Sequence, residues 1–299
     1  MPKTSSAQLY IKLPQFVAET TEGTTPTASP TFTSMGSVTS FGIKKGNNLI
    51  EVGQVGQEDL LGLATGLTTF EFQVKFQLVN STFLKRCINA ANYVTPAGTI
   101  SESFSVIWSQ YLDGVENFFF AKGSRCKDTT LNFETGKPIE VTSSFETMNV
   151  TKPSTSHGLT TPSFASNPTG PVWDWLSGGA NPVSWNSIAL NCKKFSVTVN
   201  RNTKPDHTLG NTSPFSTQPH ARRIGGDFNN LHTATEATTL ETDSNAQTAR
   251  TLAAVLKSAV STLTVSNTII DNYSRDDGAD DTDAAIETVA YKALTCTVT

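Results

Sequence analysis

Two stretches of this chain, Ser40 to Gly56 (SFGIKKGNNLIEVGQVG) and Lys194 to Gly210 (KFSVTVNRNTKPDHTLG), carry one pattern. Laid side by side without a gap, Phe41 falls on Phe195, Ile43 on Val197, Asn48 on Asn202 and Gly56 on Gly210. In each, apolar and polar residues alternate and then give way to a loop rich in Gly, Asn and charge. That is how a strand with one buried face reads when it runs into a long turn. A repeat at so wide a spacing points to duplicated domains, because solenoid periods are far shorter. A chain of 299 residues has room for two. The expected organisation is an arm over residues 1–36, a first β-rich copy over 37–151, a linker over 152–183 and a second copy over 184–299.

The clearest strand is Phe70 to Leu78. Phe70, Phe72, Val74, Phe76 and Leu78 share one face, and Glu71, Gln73, Lys75 and Gln77 share the other. One packed face and one wet face suit an antiparallel sheet or a channel wall. Ser81 is the expected N-cap of a helix whose apolar stripe is Phe83, Leu84, Cys87, Ile88 and Ala91. Strand signals return at 103–108, at Phe118 to Phe120, at 129–133 and at 138–145, with a β-bulge expected between Phe145 and Val150. In the second copy a helix is expected over 246–260 and strands over 261–270 and 285–298. The closing strands answer those of the first copy, Ile139-Glu140 by Ile286-Glu287 and Phe145 by Tyr291.

Three segments stand outside this scheme. Residues 1–36, rich in Thr and Pro, read either as a mobile tail or as an arm laid on a neighbouring subunit. The excursion over 46–66 is long for a compact domain, which marks it as functional. Its Leu49, Ile50, Val52, Val55, Leu60 and Leu61 are too apolar for a solvated loop and point to burial against another chain. In the linker, Trp173, Trp175 and Leu176 imply docking rather than free motion.

Charge and chemistry exclude more than they suggest. The net charge of −4 argues against a nucleic-acid clamp, although not against a surface past which DNA slides. No stretch reaches the roughly 20 apolar residues of a membrane span, and the N-terminus lacks the apolar core of a signal peptide. The N-x-S/T patterns at Asn80, Asn149, Asn211 and Asn272 therefore read as chance in a Thr-rich chain. Cys87, Cys126, Cys192 and Cys296 form no C-x-x-C pair and read as free structural thiols. His157, His207, His220 and His232 share no ligand spacing, and no nucleophile elbow, P-loop or H-E-x-x-H occurs. Arg222-Arg223 before Gly225-Gly226 reads as a tight turn beside a surface pair rather than a phosphate cradle. The acidic run Arg275 to Asp283 fails the EF-hand pattern and reads as a solvated hairpin tip. No catalytic constellation, cofactor site or metal site is expected.

Taken in order, these motifs resemble the tail-tube (major tail) proteins of tailed phages and tailed archaeal viruses. The likeness rests on SFGIKKGNN…EVGQVGQEDL, GSRCKDTTLNFETGKPIEVTSSF, KKFSVTVNRN, ARRIGGDF and the closing ETVAYKAL. The resemblance implies a mainly β fold, a β-sandwich or barrel with a flanking helix, here in two tandem copies. It also implies rings whose inner strands form a large β-barrel, stacked into a tube that conducts the viral genome. Partners would be further copies of the chain, the tape-measure, terminator and baseplate or tip proteins of the tail, and double-stranded DNA passing without sequence-specific binding.

Six domains of four strands each, at ~4.8 Å spacing and ~40° tilt, give a backbone circle about 48 Å across and a lumen of roughly 35–40 Å. Three two-domain chains in pseudo-sixfold symmetry would supply them, with six chains as the alternative. Glu71, Gln73, Lys75 and Gln77 are the expected lumen-facing residues, and the 46–66 excursion is the expected stacking element. Type VI secretion tubes share this fold, so a secretion or injection machine is the alternative. More remote are a capsid-decoration or sheath protein, and a carbohydrate-binding adhesin using Trp173, Trp175 and Trp185.

Overall fold

The computed structural model describes residues 10–52, 62–88, 103–112, 114–151, 154–218, 220–231, 234–276 and 285–299. The first strands are β1 (Tyr10–Ala18), β2 (Thr33–Ser34), β3 (Ser37–Gly46), β4 (Ile50–Val52), β5 (Gly62–Ala64) and β6 (Thr69–Gln77). Helix α1 (Thr82–Ile88) precedes β7 (Phe104–Leu112), β8 (Val115–Glu134), β9 (Glu140–Thr147) and β10 (Asn149–Val150). There follow β11 (Val183–Trp185), β12 (Ile188–Leu190), β13 (Cys192–Asn200), β14 (Lys204–Asp206), β15 (Ser216–Gln218) and β16 (Arg223–Leu231). Helix α2 (Ala234–Ala246) leads to β17 (Arg250–Lys257), β18 (Ser261–Asp276), β19 (Ile286–Ala293) and β20 (Thr295–Val298).

The protein is mainly β, and its centre is a broad antiparallel sheet in the order β3-β6-β9-β8-β13-β16-β19-β18. The sheet is open, and no closed barrel forms among the described residues. Its two long strands leave it at one end. The first half of β8 pairs with β7, which carries β1, and the first half of β18 pairs with β17, which carries β11. Strands that pass between layers in this way make the corners of packed sheets.

Alternation explains which face is buried. Phe70, Phe72, Val74 and Phe76 on β6 and Val141 and Phe145 on β9 are buried, as are Leu131 and Phe133 on β8 and Phe195, Val197 and Val199 on β13. Phe72 stacks on its cross-strand partner Phe145 at 4.6 Å between centroids. β7 closes over this face, with Trp108 5.1 Å from Phe41 and Phe104 5.4 Å from Phe145. Over the second half of the same face Trp185 of β11 approaches Phe228 of β16 at 6.2 Å. One apolar cluster runs through both halves.

Several expectations need correcting. Residues 250–257 form a strand, not a helix, with Leu252, Ala254 and Leu256 buried at period two. Ala and Leu favour a helix in isolation, but pairing with β11 and β18 overrides that preference. The helix lies earlier, at Ala234–Ala246, in a Thr- and acid-rich run whose buried anchors are Leu240 and Asp243. Phe118 to Phe120 and 129–133 belong to one strand, β8, rather than two. The bulge also sits on β8, between Cys126 and Asp128, while Met148 bridges β9 and β10 with its N–H donating to Lys122 O. At α1, Ser81 O accepts from the Lys85 N–H and Asn80 Oδ1 accepts from the Thr82 N–H; Ala91 lies outside the described residues.

The arm and the linker pack on this chain itself. β1 joins β7, and the buried Glu19 accepts from the Gly23 N–H, the Gly123 N–H and the Ser105 hydroxyl. Thr160 and Ser163 of the linker bridge to Ala28 and Thr31 of the arm. Trp173 is buried, its N–H donating to Leu78 O, whereas Trp175 and Leu176 are exposed. Trp185 is fully buried and donates to Asp243 Oδ2, so two of the three tryptophans that could stack on sugars are inside the protein.

Candidate functional site

The face of the broad sheet that turns away from the core is mostly polar, with Ile286, Ala290 and Ile269 as apolar members near its β18 edge. The register places Glu71, Gln73, Lys75 and Gln77 of β6 on it together, as expected, opposite the buried phenylalanines. Glu140, Thr142, Ser144 and Glu146 of β9 lie beside them, followed by Asp128, Thr130, Asn132 and Glu134 of β8. Next come Lys194, Ser196, Thr198 and Asn200 of β13, then Asp227 and Asn229 of β16, and Thr288 and Lys292 of β19. The residues beyond β6 were readable only in part. Their alternation was visible in the sequence, but not the order in which the strands pair.

Much of the positive charge on this face is tied to carboxylates, while Lys44 of β3 and Arg223 of β16 stand on it without an ion pair among the described residues. Lys75 Nζ lies 2.8 Å from Glu140, Lys194 Nζ 3.3 Å from Asp227, and Lys292 Nζ 2.8 Å from Asp271. Lys127, the extra residue of the β8 bulge, reaches both Glu71 at 3.2 Å and Glu146 at 2.9 Å. Partial burial works against the Lys127 cation, but Glu146 and then Glu71 outweigh it and raise its pKa. Burial lifts the Glu146 carboxyl above its usual range despite Lys127. Hydroxyls fill the gaps: Ser144 donates to Asp128, Ser196 donates to Asp227, and the Thr130 and Thr198 hydroxyls meet at 3.1 Å across the β8–β13 seam. A surface of this kind offers phosphates few uncompensated cations, and phosphate affinity comes from those.

The two halves of the sheet share an order and a register. The run β3-β6-β9-β8 is followed by β13-β16-β19-β18. Phe41 pairs with Val74 as Phe195 pairs with Phe228, and Phe72 pairs with Phe145 as Gly226 pairs with Tyr291. Both long strands carry a bulge at the matching place, after Cys126 on β8 and after Ile270 on β18. Gly225 and Gly226 are therefore strand residues, not a turn. A Cβ on Gly226 would fall 2.1 Å from Ser196 O and 2.6 Å from the Tyr291 hydroxyl, so only glycine leaves that ring its place. Arg222 beside them donates to Ile88 O and Cys296 O, a structural role rather than a phosphate site.

The other candidate surface lies at the end of the sheet where β3 turns into β6 and β13 into β16. Leu49 and Ile50 are more than half exposed, as is Leu63 of the facing strand β5. Val55, Leu60 and Leu61 lie outside the described residues, as does the Val52 side chain. The second excursion exposes Leu209 and Phe215. The two excursions touch, the Thr68 N–H donating to Thr212 O and His207 Nε2 lying 3.0 Å from Thr68 O.

Among the described residues no group of His, Cys, Asp or Glu is placed to hold a metal ion, and no helix is long and apolar enough to cross a membrane. Cys87, Cys126, Cys192 and Cys296 are free thiols. No curated protein matches the chain. The family model described as phage tail tube protein matches residues 4–298. The chain therefore belongs to the phage tail tube family, and is a structural protein of the virion tail.

Proposed function

We propose that this chain closes into rings that stack into the tail tube, and that the polar sheet face lines a conduit for double-stranded DNA during ejection. The chain carries two tandem copies of one unit, over 37–151 and 184–299, each giving four strands to the wall. Three chains then supply roughly 24 strands, enough at ~4.8 Å spacing for a lumen that clears a duplex. The observation that carries this reading is the repeated order and register of the two halves, with a mostly polar face across both. Closure would also remove the exposed edges of an open sheet.

The β4–β5 and β14–β15 excursions, with Leu49, Ile50, Leu63, Leu209 and Phe215 exposed, make the ring-to-ring contact. Assembly takes place in the host cytoplasm, with the tape measure inside the tube and terminator and tip proteins at its ends. Negative-stain electron microscopy of the concentrated protein, viewed end-on, tests the stoichiometry. Hollow rings of three chains are expected. Rings of six would mean either that one copy per chain lines the channel or that the repeat is false, and would refute the three-chain ring.

A further inference from the structure

The seam inside the chain, where β8 meets β13, is a template for the seam between chains. In the described residues β3 pairs only with β6, and the last part of β18 only with β19. These two open edges match the two strands that pair in the middle of the sheet. Gly46 sits against Thr69 as Asn200 sits against Arg223, so Gly42 to Gly46 corresponds to Ser196 to Asn200. Counting from the matched bulges, Asn272 to Asp276 corresponds to Asp128 to Asn132. The internal pairs are Asp128↔Asn200, Thr129↔Val199, Thr130↔Thr198, Leu131↔Val197 and Asn132↔Ser196. We infer that the end of β18 in one copy pairs antiparallel with β3 of the next copy in that same register: Asn272 opposite Gly46, Tyr273 opposite Lys45, Ser274 opposite Lys44, Arg275 opposite Ile43 and Asp276 opposite Gly42.

Exposure agrees with this assignment. Val197 is fully buried by the internal seam, whereas its counterpart Ile43 is 41% exposed on an edge with no strand across it among the described residues. Lys44, Lys45, Ser274, Arg275 and Asp276 are likewise exposed. Charge agrees too. Lys44 would project on the polar face, diagonal to Asp276 and within reach of a long side chain. A slip of one residue would turn every side chain to the opposite face, so the register is specified wherever one face is buried.

The inference rests on the ring reading above, and the test separates the two. Thr130 and Thr198 bring their hydroxyls to 3.1 Å, so thiols at the matching positions, Lys44→Cys and Ser274→Cys, would meet at disulfide distance. They lie on opposite edges of one chain and can join only between copies. The full-length double variant, with Cys192→Ser as background, is assembled into tubes, oxidised with diamide and run on a non-reducing gel. Covalent species ending at the trimer are expected, with at least tenfold less crosslinking for Lys44→Cys with Asn272→Cys, two residues off register. If the double variant fails to assemble, equal mixtures of the two single variants serve, and these should give covalent dimers and nothing larger. Crosslinking at the stepped pair instead overturns the register. Intact tubes that crosslink at neither pair overturn edge pairing while leaving the tail tube standing. Absence of rings and tubes from the unaltered chain would remove the reading on which the inference rests.

Discussion

If the polar face lines the channel, uncoupling its lysines should make the tube grip DNA. Replacing Glu140 with Gln and Asp227 with Asn removes the carboxylates 2.8 Å from Lys75 and 3.3 Å from Lys194 while keeping side-chain volume. Both pairs are substantially exposed, so the cost to folding is within about 1 kcal/mol for each. The effect on DNA is larger because it repeats round the ring. Three chains release about six cations, and a salt slope of about −0.9 per neutralised phosphate gives roughly −5 per ring. The added loss of affinity between 50 and 200 mM salt should then be about a thousandfold over that of the unaltered tube. Ejection from virions carrying the double variant, followed by a DNA-binding dye at several ionic strengths, is the assay. Slow ejection at low salt, recovering as salt rises, is expected. An unchanged, salt-independent rate would refute the reasoning. So would tube-bound DNA that stays sensitive to nuclease, because it would put this face on the outside.

Two further predictions follow from other parts of the molecule. Ile50→Asp with Leu63→Asp changes exposed positions and should alter stability by no more than about 0.5 kcal/mol; single rings should persist while long tubes vanish, and tubes of normal length by microscopy would exclude stacking through this surface. Asp243 accepts from the fully buried Trp185 Nε1 and from Arg250, so Asp243→Ala should lower the unfolding free energy, measured by denaturant titration, by about 1–3 kcal/mol for the orphaned indole N–H alone. Burial pushes the Asp243 carboxyl up, but its bonds from Arg250 and Trp185 prevail and hold it below the usual range. This group's contribution is therefore complete above its unfolded pKa of about 3.9 and lost as pH falls through the lower folded value. Thermal melts between pH 6 and 2 should show an acid loss that Asp243→Asn lacks.

How much of this was legible in the sequence depends on which force shaped each segment. Strand β6 was readable because its Phe and Val alternate strictly with Glu, Gln and Lys, and burial follows that alternation. The strand at the matching place in the second half of the sheet, β16, reads RIGGDFNNL and hides the same alternation. Where the first half stacks Phe72 on Phe145, the second packs Tyr291 over Gly226, whose missing side chain makes the room. The two solutions fill equivalent space with different residues, so similarity survives in register and not in identity. The helix at 234–246 was missed because its stripe is almost bare. A single Leu240, with Asp243 tied to Trp185 and Arg250, replaces the apolar face that periodicity detects.

The candidate site was legible on one strand and invisible as a surface. Glu71, Gln73, Lys75 and Gln77 announce a wet face, but nothing local says that β9 and β8 lie on one side of them and β13 lies beyond. Pairing across so many residues is decided by the core. Phe133 of β8 and Phe195 of β13 come directly opposite because both must be buried, and that contact carries Glu134 next to Lys194 on the polar side. The polar face is thus specified from behind: the apolar residues choose the register, and the charges on the wet face pair off as a consequence. The same logic acts at the open edges. Ile43 is the one strongly apolar residue of the β3 edge left largely exposed, and in the internal seam its counterpart Val197 is covered by its neighbour strand. If the proposed ring closes over this edge, whatever covers Ile43 fixes where Lys44 stands on the polar face, and the residue that closes the ring would also set the charge pattern that passing DNA meets.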